Sequence, residues 1–119
     1  MDEIPWPEFQ MAARYQLRFC FEYGSGVCLW SGNETAIARF GYAVEPTVLP
    51  MPLELVVRME ELIAWYDRRL DWDNPPAIAA DWDKAEEKRF QQAATHLLEN
   101  VRSHLGRTYA IADERSKFD

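Results

Sequence analysis

The sequence predicts an α+β fold: a small antiparallel three-stranded sheet packed on two long helices and one short helix, in the order β-β-α-α-α-β. Three observations predict it. RYQLRFCFEY, Arg14 to Tyr23, alternates apolar and polar residues and runs into a Gly-Ser-Gly turn. Two later stretches repeat their apolar residues at helical spacing. Between those stretches a Pro75-Pro76 pair breaks the helical pattern. At 119 residues the chain has the length of a single domain with one sizeable core. Residues 1–13 read as an N-terminal arm and 113–119 as a charged tail.

Each element follows from local chemistry. In the first strand Tyr15, Leu17, Phe19, Phe21 and Tyr23 form one buried face. Gly24-Ser25-Gly26 tolerates positive φ, and VCLWS returns as the second strand of a hairpin. With a three-residue turn, Phe21 faces Leu29, and Cys20 and Cys28 become diagonal neighbours on the other face. Asn33 caps a short helix over Glu34–Phe40, which Gly41 ends. Residues 42–50, with Pro46 and Pro50, read as a loop. Pro52, in a first-turn position, opens a long helix to about Leu70, with the stripe Leu55/Val56, Met59, Leu62/Ile63, Tyr66, Leu70. Asp81 or Asp83 caps the last helix, and Asp83-Lys84-Ala85-Glu86 resembles a capping box. That helix runs to about Leu105 and stops at Gly106. Arg107–Ala112 is the third strand.

Composition narrows the function. Formal charge is −7, which argues against a general nucleic-acid binder and favours a basic partner. Two cysteines are too few for a secreted disulfide scaffold. MDEIPWPEFQ carries acids and prolines where a signal peptide has bases and an apolar run, and no stretch is apolar enough to span a bilayer. A cytoplasmic location with reduced thiols and no membrane partner is expected.

Catalytic constellations are missing at the level of motif. Gly24-Ser25-Gly26 connects two strands, whereas a phosphate loop runs from a strand into a helix. His96 and His104 lie two helical turns apart, not at the i, i+4 spacing of a metal pair, and read as a solvated face. Asp71, Asp73, Asp81 and Asp83 are oxygen ligands of the kind a hard cation takes, but their spacing fits no EF-hand loop. No cofactor, metal or catalytic residue is therefore assigned. A metal-dependent protein or enzyme built on those four aspartates, or on His96 and His104, stands as an alternative, and it requires these groups to converge on one pocket.

The segment from Glu60 to Glu87 holds nine acids against Arg68, Arg69 and Lys84, a local balance of −6. It also holds Trp65, Trp72 and Trp82. Aromatic anchors amid charge are what protein interfaces enrich. Trp65, Asp71, Trp72, Asp73, Asp81, Trp82 and Asp83 are the expected partner-binding residues. The competing reading for Trp72 and Trp82 is that they fold under and close the end of the helix pair.

In size, acidity, aromatic content and want of a catalytic constellation, the chain resembles single-domain bacterial immunity proteins of contact-dependent and other polymorphic toxin systems. The resemblance implies a non-enzymatic protein that neutralises a basic, nuclease-type toxin by occluding its active site. GVCLWSGNETAIARFGY and WYDRRLDWDNPP are similar to patterns in other small bacterial proteins and imply a family without an activity. A second alternative is a cytoplasmic homodimer, in which a second copy covers the Trp30/Cys28 strand face or a sheet edge.

Overall fold

A computed structural model describes residues 13–115. The chain forms β1 (Tyr15–Phe19), β2 (Leu29–Ser31), α1 (Glu34–Phe40), β3 (Ala43–Val44), α2 (Leu53–Asp67), α3 (Lys84–Leu105) and β4 (Tyr109–Asp113), with short 3-10 turns at Pro46–Val48 and Gly106–Thr108. The α+β class is as expected, but the sheet differs. It has four strands in the order β3-β2-β1-β4, and β4 runs parallel to β1, from Tyr15 beside Tyr109 to Phe19 beside Asp113. Alternation fixes which face of a strand is buried, not which way the strand runs. The direction of β4 is set by where the long helix α3 delivers the chain. β3 is two residues long and too short to show a period.

The hairpin register also shifts. Phe19, not Phe21, pairs with Leu29, so the loop between the strands spans residues 20–28. Cys20 N donates to the Cys28 carbonyl at 3.1 Å. The two cysteines therefore sit opposite each other in the backbone, yet their side chains diverge. Cys28 lies in the main core, while Cys20 packs with Val27 and Trp30 in a second cluster. Both thiols are free and buried, and burial pushes the Cys20 thiol up to about 11. Trp30 and Cys28 are buried within the chain, so this strand face is not open to a second copy.

The main core lies between one sheet face and α2 and α3. Tyr15, Leu17 and Phe19 meet the helical stripe Leu55, Met59, Leu62 and Ile63, and the α3 stripe Phe90, Ala94, Leu97, Leu98, Val101 and Leu105. Asn33 caps α1 through Ala36 N at 3.0 Å and also accepts from Gln16 N, tying α1 to β1. Pro52 stands at the N-cap of α2, just outside the helix rather than in its first turn. Asp83 caps α3 by accepting from Glu86 N at 2.8 Å. The capping box is half formed, because the Glu86 carboxylate turns to Trp65 instead.

α2 ends at Asp67, three residues before the expected Leu70. Residues 68–70 leave the helix to pair with the connecting loop. Ala79 N donates to the Arg69 carbonyl and Asp71 N to the Ala77 carbonyl, both at 2.9 Å, around a bridge from Leu70 to Ile78. At the other end of the chain, the expected tail begins too early. Asp113 belongs to β4, Glu114 is buried against Arg18 at 2.7 Å, and Arg115 bonds Asp113, Gln91 and Thr95. Residues 116–119, and all but the last residue of the expected arm, lie outside the described residues.

Phe90 is fully buried and takes the rings of Phe21, Trp65, Tyr66 and Trp82 at centroid distances of 5.0 to 5.9 Å. Removing its ring leaves a void lined by aromatic groups. Phe90→Ala is expected to cost about 3–5 kcal/mol, a large share of the roughly 5–15 kcal/mol of a domain this size. Urea unfolding followed by circular dichroism measures it.

Candidate partner interface

The loop between α2 and α3 carries the two Asp-Trp-Asp triplets, and the structure gives them opposite environments. Trp82 precedes the α3 cap, and its half-buried ring lies 5.9 Å from Phe90 and 6.3 Å from Trp65. Its Nε1 donates to Glu87 Oε1 at 3.0 Å. Trp65 is also half-buried, set edge-on to Phe90 at 5.2 Å, with Nε1 donating to Glu86 Oε2 at 2.6 Å. Trp72 is 56% exposed. Its indole N–H is satisfied internally, donating to the Asp67 carbonyl at 2.7 Å. One tryptophan of the pair folds under, and the other presents its ring to solvent.

The acids divide in the same way. Asp71 Oδ1 accepts from Asp73 N at 3.1 Å, Asp83 caps α3, and Asp67 Oδ1 accepts from Gly24 N at 3.0 Å. Glu86 and Glu87 bind Arg89 and Arg69 respectively. Glu60, Glu61, Asp73 and Asp81 are exposed, and their carboxylates pair with nothing among the described residues. Asp71 to Asp83 includes no basic residue, although Arg68 and Arg69 stand just before it and Lys84 just after.

Glu87 and Arg69 hold this loop to α3. Arg69 Nε donates to Glu87 Oε1 at 2.7 Å, and Arg69 Nη1 to the Tyr23 hydroxyl at 2.8 Å. Gln91 donates to the other Glu87 oxygen at 2.9 Å. Burial pushes the Glu87 carboxyl up, but hydrogen bonds from Gln91, Arg69 and Trp82 outweigh it and hold Glu87 below the ordinary carboxylate value. The Glu86 carboxyl is likewise lowered, by its hydrogen bonds from Arg89 and then Trp65. Tyr23 stacks on Tyr66 at 4.6 Å and meets Trp72 edge-on at 6.3 Å. Burial first, and then Tyr23, raises the Tyr66 phenol.

The aspartate quartet does not converge. Among the described residues no three of His, Cys, Asp and Glu are grouped to hold a metal ion, so the geometry that the enzyme alternative requires is not formed there. His96 and His104 are exposed and line a groove of about 370 Å³ between α2 and α3 with Arg58 and Asn100. A groove of about 550 Å³ beside β4 is lined by Arg102, Arg107, Tyr109 and Ile111. Neither groove includes an expected site residue.

A family model matches residues 15–112, from the first residue of β1 to within one of the end of β4. The chain belongs to the Serratia CdiI immunity protein-like family. Membership accords with a contact-dependent inhibition immunity protein, and the matched stretch includes the whole Trp72 loop. No curated protein matches the chain. No helix among the described residues is long and apolar enough to cross a membrane.

The acids and tryptophans stand out in the sequence, but the contacts of Asp67 with Gly24 and of Arg69 with Tyr23, each across more than 40 positions of chain, do not. No local signal marks a contact of that range.

The Glu87 network has a pH signature. A carboxylate lowered in the folded state stabilises it above the ordinary value, and that contribution is lost as pH falls through the folded value. Glu87→Gln is expected to lower stability by about 1 kcal/mol at pH 7, a figure kept small by solvent screening. The gap to the parent should close as pH falls below the ordinary carboxylate value of about 4.5. Urea midpoints across pH 3 to 7 check this in about half-unit steps.

Proposed function

We propose that this chain is an immunity protein that acts in the cytoplasm by binding a cognate toxin domain, without chemistry of its own. The toxin is proposed to be basic and of nuclease type, and binding to occlude its active site. A nuclease must be cationic where it holds nucleic acid, so an acidic surface is the complement of that site. The family supports the binding role. The observation that carries the proposed surface is Trp72: it is exposed, its indole nitrogen is already satisfied, and it stands in a loop of unopposed aspartates.

The seven expected residues then take different parts. Trp72 is the anchor, because burying its ring in a partner costs no unsatisfied N–H. Asp73 and Asp81 supply the steering field, because neither carboxylate is committed to the fold. Asp71 and Asp83 contribute charge while shaping the loop and capping α3. Trp65 and Trp82 support the loop from beneath through Phe90.

The test uses the cognate toxin domain, catalytically inactivated, with association and dissociation followed at low and moderate salt. Asp73→Lys with Asp81→Lys is expected to slow association by about tenfold at low salt, with less effect at high salt. Trp72→Ala is expected to weaken binding by at least about 30-fold, mainly through faster dissociation. The Asp73 and Asp81 changes touch no cap or core contact, so their unfolding midpoint should hold. Trp72→Ala also removes the indole donor to the Asp67 carbonyl at the end of α2, so its midpoint is measured beside its binding. Unaltered binding by both variants contradicts the proposed surface.

A further inference from the structure

Asp67 holds two loops at once. Its side-chain Oδ1 accepts from Gly24 N at 3.0 Å, and its backbone carbonyl accepts from Trp72 Nε1 at 2.7 Å. The β1–β2 loop is thereby pressed against the exposed tryptophan. A Cβ built on Gly24 would lie 3.5 Å from Trp72 Cη2, and the Tyr23 ring meets Trp72 edge-on.

The β1–β2 loop is itself stiff. Ser25 N donates to the Glu22 carbonyl at 3.2 Å, the Ser25 hydroxyl bonds the same carbonyl at 2.8 Å, and Val27 N donates back to Ser25 Oγ at 3.3 Å. Gly24 and Gly26 take φ of 73° and 75°, a conformation that side chains disfavour. The loop exposes Gly24, Gly26 and Glu22, and the Glu22 carboxylate makes no hydrogen bond or ion pair among the described residues. A turn that only reverses the chain needs no clasp to a helix end 43 positions away. This one is set beside Trp72, with a further free carboxylate and open backbone.

We propose that the Glu22–Gly26 loop is the second half of the partner surface, and that Asp67 is the positioning residue that holds it in register with Trp72. The occupant is a basic protein surface, argued from charge: Glu22 adds an uncommitted carboxylate to those of Asp73 and Asp81, on a second, rigid loop. This inference rests on the proposed function and adds to it a loop that neither the triplets nor the helix ends include. Stiffness matters because a preformed surface loses little entropy when a partner docks.

The experiment measures binding of the inactivated cognate toxin domain to the full chain and four variants. Glu22→Lys is expected to slow association by about three- to tenfold at low salt, with recovery at high salt. Asp67→Ala, which releases Gly24, is expected to weaken binding by about tenfold and to speed exchange of the Gly24 amide. Asp67→Asn keeps the acceptor oxygen and is expected to restore binding to within about threefold of the parent. Trp72→Ala separates the two readings. If it weakens binding while Glu22→Lys and Asp67→Ala bind like the parent, the second half of the surface is overturned and the proposed function stands. If the parent chain does not bind the toxin, or instead self-associates with Trp72 buried, both are overturned.

Discussion

Phe90 is the residue around which the aromatic side chains beneath the candidate interface are arranged. Its buried ring receives Phe21 from the β1–β2 loop, Trp65 and Tyr66 from α2, and Trp82 from the connecting loop. Their packing on one side chain, with the Arg69–Glu87 and Asp67–Gly24 contacts beside it, ties the connecting loop to α2 and α3. Trp82 packs onto Phe90 at one end of the loop, and at the other the Trp72 indole is held to the Asp67 carbonyl. Backbone pairing of residues 69–71 with 77–79 closes it, and the Trp72 ring stays outside.

Charge is partitioned by the same framework. Glu87 would be costly to bury alone, and it is tolerated because Arg69, Trp82 and Gln91 supply donors to both of its oxygens. Arg69 passes the constraint on to Tyr23, and Tyr23 to the flank of Trp72. The committed acids build the loop and leave Asp73, Asp81, Glu60 and Glu61 to set the field outside it. A net charge of −7 is therefore not spread evenly. Part of it is structural, and Asp73 and Asp81, which are uncommitted, lie in the same loop as Trp72.

The sequence was most legible where the signals are local. Asn33 and Gly41 mark both ends of α1, and Asp83 and Gly106 mark both ends of α3, because a cap acts on backbone groups within one turn of itself. The alternation of Tyr15, Leu17 and Phe19 gave the buried face of β1. Direction and register were not legible. The parallel placement of β4 and the shift from Phe21 to Phe19 opposite Leu29 depend on where distant elements leave the chain. The two triplets show the limit most plainly. Asp71-Trp72-Asp73 and Asp81-Trp82-Asp83 are identical as text, but one tryptophan lies next to the α3 cap and within reach of Phe90, while the other lies beyond the end of α2. The clasp between Asp67 and Gly24 could not be read from either neighbourhood.

The central claim is that Trp72, and not Trp65 or Trp82, is the tryptophan a partner buries. Hydroxyl-radical footprinting of the free chain and of its complex with the toxin domain, read by mass spectrometry, tests it residue by residue. Protection of Trp72 on complex formation, with Trp65 and Trp82 oxidised to the same low extent in both states, is the result predicted. A complex that forms while Trp72 stays as reactive as in the free chain would contradict the claim and move the interface elsewhere on the molecule.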